Sequence, residues 1–114
     1  KLRKFQPDIV VVACGFDASG VDPLSRMLCG SNTFVDLTKR LLGSVNSGLV
    51  FAHEGGYSEV HVPFCGHSVL QALSGSTVTV DDPLASRINL QQPDVAFDNL
   101  QFERIKRIAN LHKL

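Results

Sequence analysis

The chain has 114 residues, of which 44% are hydrophobic and 19% are charged, and its eleven basic residues balance its eleven acidic ones. This composition predicts one small folded domain and excludes a disordered chain. Because there is no basic excess and the longest apolar run, Ile9–Cys14, is far short of the ~20 residues of a membrane helix, we expect neither a nucleic acid nor a membrane as partner.

The N-terminal segment LRKF is typical of the last turn of a helix, which Pro7 ends because proline disfavours helical geometry in the residue before it. We therefore expect the chain to be a fragment of a longer protein. The basic N-terminus is not followed by the apolar core and cleavage site of a signal peptide. Three cysteines without a CxxC motif predict free thiols and a cytoplasmic location.

Two apolar runs separated by a helical pattern predict a βαβ unit. The first run, Ile9–Cys14, is β-branched and apolar on both faces, which is typical of a parallel strand with helices above and below its sheet. A helix capped by Ser31 or Asn32 and ending at Gly43 follows, and Leu49–Ala52 forms the second strand. The crossover between the two strands is expected to be right-handed.

The second half of the chain predicts two helices separated by a surface segment. Pro63 suits the first turn of a helix that ends at Gly75. Residues 82–93 are polar and contain two prolines, which is typical of a surface linker. Asp98 and Gln101 form a capping-box pattern for the last helix. We thus expect a single partial domain over residues 1–114, with a core segment at 5–75, a linker at 76–97 and a C-terminal helix at 98–114.

An acidic and a phenolic side chain follow the two predicted strands. Asp17 comes shortly after the first strand. Tyr57 comes after the second strand and is directly preceded by Gly55 and Gly56. Ligands of open parallel sheets bind beyond the carboxyl ends of the strands, so both residues are expected on one rim. Asp17 suits a metal ligand, a general base, a ribose-binding group or a cap of loop amides. Tyr57 suits either a ligand cavity or a tight turn with a half-buried tyrosine.

Other residues of chemical interest give weaker patterns. His61, Cys65 and His67 have the residue types of a zinc finger, but no second ligand pair stands at the spacing of a structural site. Neither glycine cluster forms GxGxxG, which makes nucleotide binding unfavoured. His53 is expected to be a hydrogen-bonded core histidine, and Cys14 a small apolar strand residue.

Two motifs carry a resemblance to a known family. PDIVVVACGFDASGVDPL at residues 7–24, followed by HEGGYSEVHVPFCGHSVLQAL at residues 53–73, closely resembles the histone deacetylase/acetylpolyamine amidohydrolase family, above all its bacterial class II-like members. The resemblance covers roughly residues 5–75. It implies an α/β fold: the C-terminal, βαβ-containing part of an arginase-like parallel sheet in three αβα layers.

The resemblance also implies a role for each residue of the rim. Asp17 would be one of three protein ligands of a catalytic Zn²⁺, and Tyr57 the catalytic phenol that steadies the oxyanion of the acetamide. Leu24 would line the acyl-lysine tunnel, and Gly55 and Gly56 would form the wall beside the acyl group, so these three would bind substrate.

The chain departs from the family pattern in one respect. The family takes its other zinc ligands from an Asp-x-His motif and its general base from a His-His pair, and neither occurs in these 114 residues. We therefore expect the C-terminal part of a zinc-dependent deacetylase, acting on acetyl-lysine or an acetylpolyamine when intact and inactive alone. The alternative is a non-catalytic relic or interaction module of the same fold. Unpaired strand edges would favour self-association of the chain. Asp22 is expected to have a structural role and to order its loop.

Overall fold

The computed structural model describes residues 1–24 and 27–112. Their helices and strands, in chain order, are α1 (Leu2–Phe5), β1 (Ile9–Cys14), α2 (Ser31–Leu42), β2 (Gly48–His53), α3 (Val62–Ser74), α4 (Ala85–Leu90) and α5 (Val95–Leu111).

The predicted βαβ unit is present. β1 and β2 are parallel neighbours whose register runs without offset from the pair Ile9–Gly48 to the pair Cys14–His53, and α2 connects them. Gly43 is the C-cap of α2, as predicted, but its N-cap is Gly30, and no side chain caps its first turn. The Ser31 hydroxyl instead donates a hydrogen bond to Asp82, so the predicted capping role of Ser31 or Asn32 is wrong.

The core lies between one face of the sheet and the helices α2 and α3. Its buried centre consists of Phe16, Phe34, Cys65 and Val69, and Phe51 of β2 packs against it. The rings of Phe16 and Phe34 meet edge to face with centroids 5.2 Å apart, a favoured aromatic geometry. α3 contains proline in its first turn and ends at Gly75 in the left-handed conformation, both as predicted.

The opposite face of the sheet is exposed, although its sequence is apolar. Ile9, Val11 and Val50 are 64%, 67% and 52% exposed. The apolar residues on both faces of β1 predicted that helices would cover both faces of the sheet. Among the described residues, helices cover one face. In the part of the chain that is described, the sheet has two strands, so each of them keeps one unpaired edge.

The segment after α3 differs from the expected linker. It contains α4, whose Ile88 is 1% exposed and lies against Gly20 and Gly30. α5 begins at Val95, and its cap is Asp94, whose carboxylate accepts the Phe97 N–H at 2.9 Å.

The predicted cap at Asp98 is therefore wrong. Asp94 is the first capping residue after Pro93, and nothing beyond it interrupts the helix, so the helix begins one turn earlier and Asp98 lies within its first turn. None of the described helices is both long and apolar enough to span a bilayer.

Gly56 occupies a backbone conformation that other residues avoid, with φ at 128°. A Cβ at this position would lie 2.9 Å from Cβ of Phe16 and 3.1 Å from Cγ2 of Val62. We expect Gly56→Ala to lower the free energy of unfolding, measured by urea denaturation, by about 1–3 kcal/mol. Gly48→Ala is the matched control, because a Cβ there meets nothing within 4 Å. Equal losses in the two variants would contradict this account.

Candidate active site

The two loops that follow the strands are joined directly. The Phe16 N–H donates to the Gly55 carbonyl at 2.8 Å, and the Glu54 N–H donates to the Cys14 carbonyl at 3.3 Å. These bonds continue the ladder beyond the strand ends. The site loop (residues 15–24) and the EGGY segment (residues 54–57) therefore leave the sheet side by side at its carboxyl edge.

Asp17 is exposed, and its carboxylate lies over the backbone of both loops. A Cβ added to Gly15 would lie 2.6 Å from Oδ1 of Asp17, and one added to Gly55 would lie 2.8 Å from Oδ2. Glycine at these two positions leaves the space that the carboxylate occupies. Sequence reasoning assigned Gly55 to the substrate wall and did not foresee this second reason for a glycine.

Asp22 connects the main chains of two predicted site residues. It is 7% exposed, its Oδ2 accepts the Tyr57 N–H at 2.7 Å, and its Oδ1 accepts the Leu24 N–H at 2.9 Å. The expectation that Asp22 orders its own loop is confirmed. The same carboxylate also ties that loop to the EGGY segment, which places the backbones of Leu24 and Tyr57 on either side of it.

The side chains of these two residues are open to solvent. Tyr57 is 56% exposed and Leu24 is 71% exposed, so both can contact a molecule that lies above the rim. A cavity of about 540 Å³ lies near the other end of the strands, lined by residues within 2–8 and 43–47.

The described residues do not complete a metal site. Among residues 1–24 and 27–112, no group of three or more His, Cys, Asp or Glu side chains could hold a metal ion. A catalytic zinc needs three protein ligands, and Asp17 supplies one carboxylate. The zinc-finger alternative fails as well, because both ring nitrogens of His61 have partners, of which Asp82 lies at 2.8 Å and Ser19 at 2.6 Å.

These contacts belong to a buried network that sequence reasoning missed. Oγ of Ser19 lies 2.6 Å from Nδ1 of His61, and Oδ2 of Asp82 lies 2.8 Å from Nε2. The order of groups is that of a hydrolase triad, with the ring nitrogens exchanged. Ser19 is 1% exposed, His61 0% and the Asp82 side chain 5%, so no substrate reaches the hydroxyl. The network is structural.

The surroundings of Asp82 favour its charged form. Burial alone would raise the pKa of Asp82, but hydrogen bonds from Ser31, His61 and the Leu84 N–H, together with the charge of His61, leave that pKa below its ordinary value. A carboxylate that accepts from three groups is therefore ionised at neutral pH.

The surroundings of the three cysteines favour their protonated thiol form. Burial, followed by the charges of Asp82, Cys29 and Cys14, raises the pKa of Cys65 to about 12. Burial also raises the pKa of Cys14 and of Cys29. All three are free thiols. Cys14 packs against the apolar core, as expected of a small strand residue.

His53 was expected to be a hydrogen-bonded core histidine, and this prediction is wrong. Its side chain is exposed at the end of β2, where its ring centroid lies 5.1 Å from that of Phe16. The alternation of β2 puts its half-buried residues at Leu49 and Phe51, and it ends there because Ala52 and His53 are both exposed.

The described residues form a parallel α/β unit with two joined loops at its carboxyl edge, and comparison with known proteins gives the family. The family model described as histone deacetylase domain matches residues 1–73. A histone deacetylase-like amidohydrolase of Pseudomonas aeruginosa is 46% identical over 112 residues, which is 95% of this chain and 30% of that protein. The chain belongs to the histone deacetylase domain family.

Two further comparisons agree. Histone deacetylase clr3 of Schizosaccharomyces pombe is 32% identical over 72 residues, covering 63% of this chain and 10% of that protein. The solved structure of histone deacetylase Clr3 superposes on 96% of this chain with a TM-score of 0.61 at 22% identity, covering 23% of the solved chain, which shows the shared fold. The chain thus spans about 30% or less of the length of these relatives.

Proposed function

We propose that the chain is the C-terminal part of a zinc-dependent deacetylase that hydrolyses an acetylated amine, either acetyl-lysine or an acetylpolyamine. The observation that carries this proposal is the junction of the site loop and the EGGY segment, in which Asp22 holds the backbones of both Leu24 and Tyr57. The 46% identity to a histone deacetylase-like amidohydrolase supports the same reaction class.

Each rim residue has a role in this proposal. Asp17 would contribute one carboxylate to the zinc ion, and the other ligands and the general base would come from residues outside this chain. Bound zinc in such a site polarises the amide carbonyl and lowers the pKa of water. The Tyr57 phenol donates a hydrogen bond to the acetamide oxygen as that oxygen gains negative charge. Leu24 contacts the acyl-lysine stem, and Gly55 and Gly56 leave space beside the acetyl group.

A second candidate function is a non-catalytic module of the same fold. The exposed apolar sheet face and the unpaired edges of β1 and β2 favour it, because such surfaces promote association. On this reading the chain would self-associate through its sheet edges. In either case, we propose a cytoplasmic location, because the three cysteines are free thiols and form no CxxC motif.

The test is a chimera in which this chain replaces the matched segment of the Pseudomonas amidohydrolase. We expect the chimera to bind zinc and to hydrolyse an acetyl-lysine or acetylpolyamine reporter, and the chain alone with zinc to give no turnover. A folded, zinc-loaded chimera without turnover would contradict the deacetylase proposal and support the non-catalytic module. Turnover by the chain alone would contradict the incompleteness of its site.

A further inference from the structure

We propose that His61 and Asp82 are positioning residues of the candidate active site, and that they act through Ser19 on the site loop that carries Asp17 and Asp22. The proposal rests on the proposed function for the meaning of that loop. Asp82 lies in the segment after α3, beyond the family match at residues 1–73. On this proposal, that segment helps to hold the site loop in place.

The first step of the argument is the completeness of the network. An ionised Asp82 only accepts hydrogen bonds, so Nε2 of His61 carries a proton and donates to it at 2.8 Å. Nδ1 of the same ring lies 2.6 Å from the Ser19 hydroxyl and 3.5 Å from Sγ of Cys65. The Ser19 oxygen in turn accepts the Val21 N–H at 3.3 Å. Each of these buried groups has a hydrogen-bond partner, and the ionised Asp82 sets the direction of its own bond with His61.

The second step is the place of Ser19 within the site loop. Its N–H donates to the Phe16 carbonyl at 3.0 Å, and its carbonyl accepts the Asp22 N–H at 3.1 Å. Ser19 therefore stands between Asp17, two residues before it, and Asp22, three residues after it. A shift of its side chain moves both carboxylates relative to the sheet.

The third step is what holds the far end of the network. Asp82 also accepts from the Ser31 hydroxyl at 2.7 Å and from the Leu84 N–H at 2.9 Å, which connects it to α2 and to the start of α4. A buried side chain that accepts from three donors, two of them on other segments, has little freedom. Removing one partner of a buried hydrogen bond costs more stability than removing one partner of an exposed bond, because the remaining buried group is left unsatisfied. Removal of the Asp82 carboxylate should therefore weaken the hydrogen bonds of the network as far as Ser19.

The experiment is amide hydrogen exchange on the full 114-residue chain. In Asp82→Ala we expect exchange of the Ser19 and Asp22 amides to accelerate by about tenfold or more, while the amides of the β1–β2 ladder change by less than about twofold, because local openings need not involve the whole fold. Asp81→Ala is the matched control, since Asp81 is the exposed neighbour of Asp82 and should change neither set.

A double-mutant cycle separates positioning from general loss of stability. If Asp82 acts through Ser19, adding Asp82→Ala to Ser19→Ala should accelerate the Asp22 amide by less than about twofold further. Should Asp82→Ala fail to fold, Asp82→Asn takes its place in the same comparison.

Three results would overturn the proposal: an unchanged site loop in the Asp82 variant, equal acceleration of the loop and the ladder, or effects of the two substitutions that simply multiply. The measurement needs neither zinc nor substrate. A negative result therefore leaves the deacetylase proposal standing. An inactive chimera would remove the catalytic meaning of the site loop but not the finding that the network holds it.

Discussion

Tyr57→Phe should lower kcat of the chimeric amidohydrolase by about 10²–10³-fold while its zinc content stays unchanged, because loss of one oxyanion donor typically raises the barrier by that amount. The Tyr57 backbone is held by Asp22 through its N–H, and this bond survives the substitution. Removal of the phenolic hydroxyl thus tests the proposed contact with the substrate without moving the loop. Steady-state kinetics and metal analysis of the purified variant measure the two quantities.

Asp17→Ala is the companion variant and should fail differently. It removes a carboxylate ligand, so we expect both turnover and zinc content to fall. Asp36→Ala is the matched control, because Asp36 is an exposed aspartate on α2 and should alter neither. Near-normal turnover in both the Asp17 and Tyr57 variants would remove the basis for their assigned roles.

Asp22→Ala should be strongly destabilising in the chain itself. The substitution leaves the N–H groups of Tyr57 and Leu24 without their carboxylate acceptor, and an unsatisfied, partly buried donor costs about 1–3 kcal/mol. We expect the free energy of unfolding to fall by about 2–4 kcal/mol in urea denaturation, allowing for partial access of water to the two groups.

Asp36→Ala serves as the control for this prediction too, with an expected change within about 0.5 kcal/mol for an exposed position. Asp22→Asn retains one acceptor oxygen and should fall between the two. Unfolding curves for Asp22→Ala and Asp36→Ala that coincide would show that Asp22 does not hold the two loops together.

Local patterns predicted the part of the fold in which each element is determined by its own residues. The β-branched run of β1, the glycine at the end of α2 and the proline at the start of α3 each act within a few positions, and the structure has all three elements in place. The segment after α3 was predicted as a linker because two prolines and polar residues dominate it. Ile88 is buried because it packs against Gly20 and Gly30. These glycines are distant in the chain, so the residues around Ile88 could not indicate that contact.

The candidate site divides in the same way. The direction of two parallel strands was enough to predict that the residues after them share one edge, and the hydrogen bond from Phe16 to Gly55 joins the loops there. The assigned roles of Asp17 and Tyr57 remain predictions. The network of Ser19, His61 and Asp82 could not be predicted, because its members are 42 and 21 positions apart and no motif connects them.

The unshifted register of β1 and β2 has a consequence for how the chain can vary in length during evolution. An extra residue inside β2 would exchange its inward and outward side chains and displace the residues that follow by about 3.3 Å. The same residue added between α2 and β2, at positions 43–47, would be taken up by the connection and leave the strand pairing intact. Length differences among related chains should therefore collect in that connection, while β2 and the EGGY segment keep a constant length.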